Sequence, residues 1–290
     1  MKALLRYSEK LWRYLSLLGV AQGMRWLAIR VCDRFRIVSG VRHVKPPGTE
    51  HLVTMRVGGS SDPQVFDQIF INGDLANLIG RVREARTIVD LGANVGYASI
   101  VFLNAFPDAH LLAVEPDSKN AALCARNLAP YGNRARLVEA AVWSRSCDLK
   151  LVRGAFRDGK EWATQVRPVQ PGEVSDVKAL DMPTLLQMCP RPLVDILKID
   201  IEGAESTLFG EDAESWLKCV RNFCVEIHST EAASIIERAL RGFEFEILQS
   251  GEYRVYLNLT PKRAPRPKES RSGRITSRPL ALVHPPSSGG

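Results

Sequence analysis

The chain has 290 residues, of which 45% are hydrophobic and 24% are charged. This composition is typical of a globular α/β protein, and it excludes a wholly disordered chain, a collagen-like chain and a small disulfide scaffold. The formal charge of +7 is unevenly spread: residues 1–56 carry 11 Lys and Arg against 3 Asp and Glu, residues 261–290 carry 7 against 1, and residues 57–260 carry 21 against 28. Two basic ends around an acidic body argue against a nucleic-acid groove, so no nucleic-acid partner is expected.

Residues 1–45 are predicted to form a basic, helical extension. Apolar and basic residues alternate at helical spacing over residues 1–36, which favours helices that pack on the main domain, with helices that lie on a membrane surface as the alternative. The apolar run at 15–21 is shorter than the about 20 residues that cross a bilayer, and it continues as an amphipathic pattern rather than a cleaved leader. Six scattered cysteines without a CxxC pair favour reduced thiols and a cytoplasmic location.

From residue 87, short β-branched runs alternate with helical stretches. The predicted strands and helices, in chain order, are strands at 87–91, 110–114, 136–140, 194–199 and 222–227, helices at 97–106, 117–128, from about 204 and at 231–241, and a closing hairpin at 243–247 and 254–258. This alternation predicts a Rossmann-like, doubly wound and mostly parallel α/β sheet in a domain over 46–260, with an antiparallel edge from the C-terminal hairpin. Residues 148–180 are expected to be irregular, and the Pro-, Arg- and Ser-rich tail 261–290 to be disordered.

The first strand of the domain runs through a glycine turn directly into a helix, in the string Val-Asp-Leu-Gly-Ala-Asn-Val-Gly-Tyr (89–97). Such a turn places free backbone N–H groups and a positive helix end at one edge of the sheet, which suits a nucleotide-like ligand. The dinucleotide fingerprint G-x-G-x-x-G is not satisfied, because Asn94 stands at its second glycine and no third glycine follows. Asn tolerates the left-handed conformation that this position requires. Asp-x-Gly-x-Asn-x-Gly instead matches the S-adenosylmethionine loop of class I methyltransferases, so the residues predicted to bind cofactor are Asp90, Gly92, Asn94, Gly96 and Tyr97.

Two further segments belong to the predicted cofactor site. The second strand ends in Glu115, which follows Gly92 at the separation expected of a carboxylate that binds ribose hydroxyls. After the third strand, the small apolar segment around Ala141 is expected to flank an adenine ring. The loop and the acid together are far more specific than either one alone.

Acidic residues and a histidine follow the next two strands. The fourth strand ends in Leu-Lys-Ile-Asp-Ile-Glu-Gly-Ala-Glu (197–205), and the fifth ends in Val-Glu-Ile-His (225–228). Helix-dipole complementarity explains Glu202 and Glu205 well, but it explains Asp200 on a buried strand poorly. His228 is predicted to be the general base, with an ordinary pKa of about 6.5, and Asp200 and Glu202 to orient an acceptor or contact the cofactor. A metal-assisted variant is the less favoured alternative, and no metal is assigned.

These strings resemble the FkbM-type family of class I methyltransferases. The resemblance extends over about residues 55–258 and includes Ala-Val-Trp-Ser (141–144) and an upstream segment at 56–66; Leu75 departs from it, since an aromatic residue is expected there. It implies an S-adenosylmethionine-dependent O-methyltransferase whose acceptor is a hydroxyl of a sugar, a glycolipid or a polyketide-like product. The alternatives are a non-catalytic Rossmann-like module, tethered to a membrane or to a glycosyltransferase complex by its basic ends, and a nicotinamide oxidoreductase, which the missing glycines disfavour.

Overall fold

The computed structural model describes residues 2–152, 165–210 and 212–262. Most of the predicted tail, residues 263–290, lies outside these residues. The strands, in chain order, are β1 (Gly40–Val44), β2 (Val53–Val57), β3 (Thr87–Leu91), β4 (His110–Glu115), β5 (Ala135–Glu139), β6 (Ala141–Val142), β7 (Cys147–Val152), β8 (Gln165–Pro168), β9 (Val177–Leu180), β10 (Ile196–Ile199), β11 (Phe223–Glu226), β12 (Phe243–Ser250) and β13 (Tyr253–Pro261).

The helices lie between these strands as the alternating pattern predicts. They are α1 (Lys2–Leu18), α2 (Val20–Arg34), α3 (Asp62–Phe66), α4 (Ala76–Arg81), α5 (Tyr97–Ala105), α6 (Ser118–Leu128), α7 (Met182–Gln187), α8 (Glu205–Leu208), α9 (Ala213–Leu217) and α10 (Thr230–Ala239). A π-helical turn, Asp67–Asn72, continues α3. The start of α6 has a clear local cause, because the Asp117 carboxylate accepts hydrogen bonds from the first free backbone N–H groups of the helix.

The main sheet has seven strands in the order β12-β13-β11-β10-β3-β4-β5. The five strands from β11 to β5 are parallel, whereas β13 pairs antiparallel with both β11 and β12. The predicted mostly parallel fold and its hairpin are therefore confirmed, but the reversed strand lies inside the sheet rather than at its edge. Strand order reverses between β3 and β10, and ligands of such sheets bind at this switch point.

Both faces of the sheet are buried, as expected for parallel strands between two helical layers. Along β3, Ile88 faces the layer that contains Phe66 and Phe102, while Val89 faces the layer that contains Phe209. Each fully buried large apolar side chain contributes about 1.5–3 kcal/mol to the stability of the fold. The loops at the carboxyl ends of the strands are thereby held on a rigid base.

Residues 148–180 are more regular than expected. In the described part of this segment, β7, β8 and β9 join β6 in a second sheet with the order β6-β9-β7-β8. Short strands interrupted by Pro and Gly give too little periodicity to be recognised in sequence. Residues 153–164, between β7 and β8, lie outside the described residues.

The N-terminal helices pack on the main domain through a buried carboxylate, Asp67. Asp67 accepts hydrogen bonds from the Tyr14 hydroxyl (2.8 Å) and the Trp26 indole N–H (2.9 Å), and it pairs with Lys10 (2.9 Å) and Arg30 (3.1 Å). The boundary expected at residues 45/46 falls between β1 and β2, which pair with each other. No helix within the described ranges is long and apolar enough to cross a membrane.

Candidate functional site

The loop after β3 has the backbone conformation that its sequence predicts. Gly92, Asn94 and Gly96 have φ values of 72°, 50° and 87°, all in the left-handed region. A Cβ atom on Gly92 would lie 1.7 Å from the backbone oxygen of Asp200, so only glycine fits where the loops after β3 and β10 cross. The expected left-handed conformation of Asn94 is thus found, and the two loops are in direct contact.

Glu115 lies beside this loop at the end of β4, with 5% of its surface exposed. Its carboxylate accepts hydrogen bonds from the backbone N–H groups of Asn94 (2.8 Å) and Asp117 (3.0 Å) and from the side chain of Asn120 (3.3 Å). Burial raises the pKa of Glu115 to about 7, against the lowering effect of these hydrogen bonds. Glu115 also lines the cleft described below, so its carboxylate can accept further hydrogen bonds from a ligand there, as a ribose-binding acid requires.

A buried lysine joins the two crossing loops. Lys198, in the middle of β10, is 3% exposed; its Nζ donates to the Gly92 carbonyl (2.8 Å) and lies 3.2 Å from Asp90 and 3.3 Å from Asp200. Burial alone would lower the pKa of Lys198, but the two carboxylates outweigh it and raise the pKa, so the amine is charged. The Ser99 hydroxyl donates to Asp90 at 2.6 Å. Asp90 therefore pairs with Lys198 from outside the cleft and does not line it.

The acidic residues after β10 surround His228. The His228 Nδ1 atom lies 2.8 Å from Glu205 Oε1, and its Nε2 atom lies 3.2 Å from Glu226 Oε1 and 3.4 Å from Glu202 Oε2. Glu205 is fully buried, and Glu202 has a left-handed φ of 49°. The structure thus brings the predicted His228 and Glu202 together, and it adds Glu205 and Glu226.

The predicted titration of His228 is wrong for this structure. Burial lowers the pKa of His228, but hydrogen bonds to Glu205 and Glu226 and the negative charge around the ring outweigh it and raise the pKa to about 10. An imidazole in this environment holds its proton at neutral pH, so it is not an ordinary histidine base. Its side chain is 3% exposed and stands behind Glu202 and Glu226 rather than at the cleft surface.

An open cleft lies over the switch point, and most of the residues discussed above line it. The predicted residues that line it are Gly92, Asn94, Tyr97, Glu115, Asp200 and Glu202. Its wall also includes residues that the sequence did not single out, namely Asp74, Lys198, Glu226, Glu252 and Tyr253. The Tyr253 hydroxyl donates to Asp200 at 3.1 Å, and burial raises the pKa of Asp200, although Lys198 partly offsets this effect.

Four predicted residues do not line the cleft: Asp90 and His228, described above, and Gly96 and Ala141. Gly96 instead lies under α6, where an added Cβ would meet Cys124 Sγ at 3.0 Å. Ala141 packs in the core of the second sheet, while its neighbours Ala140 and Val142 line the cleft. Ala140 and Val142, rather than Ala141, face the cleft, because alternate residues of an extended segment point to opposite sides.

The cleft divides into two chemically different halves. One half has the glycine turn, the buried Glu115 and the apolar Ala140 and Val142, which match the phosphate-free nucleoside part of a cofactor: an acid for ribose and small side chains for the base. The other half has Asp200, Glu202 and Glu226. Fold and site together define a Rossmann-like α/β protein whose cleft has Glu115 and small apolar side chains on one side and a carboxylate-rich pocket on the other.

Comparison with known proteins places the chain in a family. The model of the Methyltransferase FkbM domain matches residues 90–255, and the chain belongs to this FkbM methyltransferase family. It is 30% identical over 144 residues to the 2-O-methyltransferase NoeI of Sinorhizobium fredii, a match that covers 45% of this chain and 59% of NoeI. The chain thus spans less than two thirds of that relative.

Similar solved structures are also methyltransferases. The O-methyltransferase TomG from Streptomyces achromogenes, in complex with SAM, is 17% identical, with 69% of this chain and 81% of that chain covered and a TM-score of 0.39. The 16S rRNA N2 G1207 methyltransferase RsmC of T. Thermophilus is 14% identical, with 78% and 51% covered and a TM-score of 0.42.

Proposed function

We propose that the protein is an S-adenosylmethionine-dependent O-methyltransferase that acts on a hydroxyl of a sugar, a glycolipid or a polyketide-like product. The observation that carries this proposal is the division of the cleft: Gly92, Asn94 and Glu115 form a nucleoside site, and Asp200 and Glu202 stand at its other end. A methyl donor and a hydroxyl acceptor could thus meet over the contact between the two loops. Membership of the FkbM family and the name of the relative NoeI support methyl transfer to oxygen.

S-adenosylmethionine supplies an electrophilic methyl group when it is bound. Glu115 would accept hydrogen bonds from the ribose hydroxyls, and Ala140 and Val142 would flank the adenine ring. The residues at the other end orient the acceptor, since an alcohol is a weak nucleophile that depends on positioning and on removal of its proton. Asp200 and Glu202 line the cleft and are the groups in reach of that hydroxyl, while His228 holds the carboxylates around it in place.

Calorimetry with S-adenosylmethionine tests the cofactor half of this proposal. Each charge-assisted hydrogen bond of Glu115 to ribose contributes about 1.5–3 kcal/mol, so Glu115→Ala should weaken binding at least about tenfold. Glu252→Gln is the matched control, because it removes a charge from the same cleft just before β13, and β11, β10 and β3 lie between β13 and the strand that carries Glu115. NAD(H) should not bind. Unchanged affinity in a folded Glu115→Ala variant would show that Glu115 does not contact the cofactor. A wild-type chain that does not bind S-adenosylmethionine would contradict the methyltransferase proposal and favour a non-catalytic binding module.

The acceptor half is tested by transfer of a labelled methyl group to glycan, glycolipid and polyketide extracts. Asp200→Asn and Glu202→Gln should reduce turnover, while Asp108→Asn, an exposed residue outside the cleft, should not. A labelled product whose methyl group resists base but is lost in ether cleavage would identify the transfer as methylation of a hydroxyl. Labelling of nucleic acid or protein instead would contradict the proposed acceptor class.

A further inference from the structure

We propose that Asp200, Glu226 and His228 bind a divalent metal ion at the acceptor end of the cleft. The three residues follow the adjacent parallel strands β10 and β11, so their side chains meet at one edge of the sheet. Each offers one ligand atom, and these atoms lie within 4.8 Å of one another. Ligand atoms of a six-coordinate ion with bonds of about 2.1 Å are about 3–4 Å apart, so small side-chain rotations would close the site.

A second observation concerns the ring nitrogen Nε2 of His228. The side chain is 3% exposed, and Nε2 lies 3.2 Å from Glu226 Oε1 and 3.4 Å from Glu202 Oε2, so it faces two carboxylates from a buried position. The other ring nitrogen, Nδ1, is held by Glu205 at 2.8 Å. An ion bound at Nε2 would displace the proton that this nitrogen carries in the metal-free protein, while Nδ1 would keep its proton toward Glu205, which is the arrangement that orients a metal-binding histidine.

The charge around the cluster also favours a cation. Four carboxylates converge near the ring, those of Asp200, Glu202, Glu205 and Glu226. The protonated His228 and Lys198 offset this charge only in part, because Lys198 is shared between Asp90 and Asp200. Buried carboxylates repel one another unless a cation neutralises them. A divalent ion between Asp200, Glu226 and Nε2 would do so.

The donor set and the open side of the cluster define the class of ion. One imidazole with two carboxylates suits Mn²⁺ or a similar divalent ion, since imidazole favours the later transition metals and carboxylates favour Mg²⁺ and Mn²⁺. Asp200 and Glu226 line the cleft, so coordination positions on that side face the space for an acceptor. A bound oxygen ligand becomes more acidic on such an ion, which is the property that a weak alcohol nucleophile needs.

This inference rests on the proposed function for its chemical role. The acceptor hydroxyl would bind the ion through oxygen and lose its proton to Glu202, which would pass it to solvent. The oxygen then forms a bond to the methyl carbon while the carbon–sulfur bond breaks, and its electron pair returns to sulfur. The products are a methyl ether and S-adenosylhomocysteine, and the metal ion is unchanged.

Titration of the metal-free wild-type chain with Mn²⁺, followed by electron paramagnetic resonance without cofactor or acceptor, tests the site directly. We expect one ion per chain with a Kd below about 1 mM. Glu226→Gln and Asp200→Asn should weaken binding at least about tenfold, and Glu205→Gln should weaken it about 10–100-fold by releasing the ring. Glu252→Gln removes the same charge from the same cleft and should change the Kd less than about threefold.

The outcomes separate this proposal from the proposed function. A wild-type chain that binds S-adenosylmethionine but not Mn²⁺ overturns the metal site and leaves a protonated His228 as the cation of the cluster. Mn²⁺ binding that Glu252→Gln weakens as much as Glu226→Gln also overturns it, because the ion would then be attracted by charge alone. Mn²⁺ binding at the three residues without S-adenosylmethionine binding would keep the site and reject the methyltransferase proposal.

Discussion

Gly92 is the residue on which the geometry of the cleft depends most. Its φ of 72° and the 1.7 Å that would separate an added Cβ from the Asp200 oxygen make any side chain there both strained and overlapping. Gly48 has nearly the same φ, 70°, with nothing within 4 Å of an added Cβ. An alanine would be strained at both positions but would collide with a neighbour only at Gly92, so comparing the two measures the cost of the collision.

We expect Gly92→Ala to destabilise the fold by about 3 kcal/mol or more, the sum of a left-handed alanine and an overpacked contact. Gly48→Ala should cost only about 1–2 kcal/mol, because it has the strain without the collision. Urea denaturation of both variants measures the difference. Equal losses of unfolding free energy would show that the two loops move apart readily.

Glu115 makes the stability of the cofactor-free protein depend on pH. Its folded pKa of about 7 lies above its ordinary value of 4.5, so the native state binds more protons than the unfolded state between these values. The stabilisation is fully present below about pH 4.5 and is lost as the pH rises through about 7. Its full size is of order 3 kcal/mol.

The corresponding measurement is the unfolding free energy of wild type and Glu115→Gln at pH 5 and at pH 8, without cofactor. The wild type should lose more stability between these two values than the variant, since Gln cannot titrate. If the unfolding free energy of the wild type and of Glu115→Gln changed equally between pH 5 and pH 8, the pKa of Glu115 would be the same in the folded and unfolded protein.

Residue patterns predicted the conformation of the loop at 92–96 and the position of Glu115 better than the surroundings of His228. The loop at 92–96 and Glu115 act through local backbone geometry and a fixed place in the strand order, both of which are visible in sequence. Lys198 was detectable in principle, as a charge within an apolar strand. The raised pKa of His228 could not be predicted from sequence, because Glu205 and Glu226 approach the ring only after β10 and β11 pair.

At the scale of elements, α1 and α2 are part of the domain rather than an appendage. Tyr14 and Trp26 are each 1% exposed, and both donate hydrogen bonds to the buried Asp67. Asp67→Ala leaves these two donors unpaired, and each unsatisfied buried group costs about 1–3 kcal/mol. We therefore expect a loss of about 3 kcal/mol of unfolding free energy, measured by urea denaturation.

Asp108→Ala is the matched control for this change. The Asp108 side chain is 73% exposed and lies 3.5 Å from Arg86, so the loss of this pair should cost less than about 0.5 kcal/mol. If Asp67→Ala were no more destabilising than Asp108→Ala, the N-terminal helices would have to pack on the domain without help from their polar contacts.

The elements that sequence identified are β-branched runs that alternate with helices. Strands β3, β4, β10 and β11 were all recognised, since such runs between helices are a strong signal. The second sheet was missed because β6 has only two residues and because Pro and Gly interrupt the segment around β8. The position of β13 inside the main sheet was missed for another reason: a hairpin in sequence does not specify which of its strands meets the rest of the sheet.

At the scale of the whole molecule, the basic N-terminal part carries exposed apolar side chains beside its charge. The most exposed of these, in chain order, are Trp12 (70%), Val20 (72%), Met24 (50%), Phe35 (68%) and Ile37 (68%). Trp26 is buried against Phe66, so it is not available to contact a membrane surface. Trp12 can still do so.

We expect the full chain to sediment with anionic liposomes at low salt and to be released as salt rises, since the attraction is screened. Trp12→Ser should weaken this binding, whereas Val174→Ser, which removes an 80% exposed apolar side chain elsewhere, should not. The membrane-surface interpretation would be rejected if the chain stayed in the supernatant at low salt, or if Trp12→Ser and Val174→Ser weakened liposome binding equally. The N-terminal helices would then serve only to pack on the core.

The reversed strand β13 sets the order in which the site can form during synthesis. Strands β3, β4 and β5 are synthesised in the same order in which they lie in the sheet, so this side of the cleft can form before β10 and β11 have been synthesised. The free edge of β11 has no partner until β13 appears, because β12, though made earlier, pairs with β13 and not with β11. Tyr253, which contacts Asp200 from the first residue of β13, is thus among the last residues to reach the cleft. A nascent chain stopped before residue 253 would expose an unpaired strand edge.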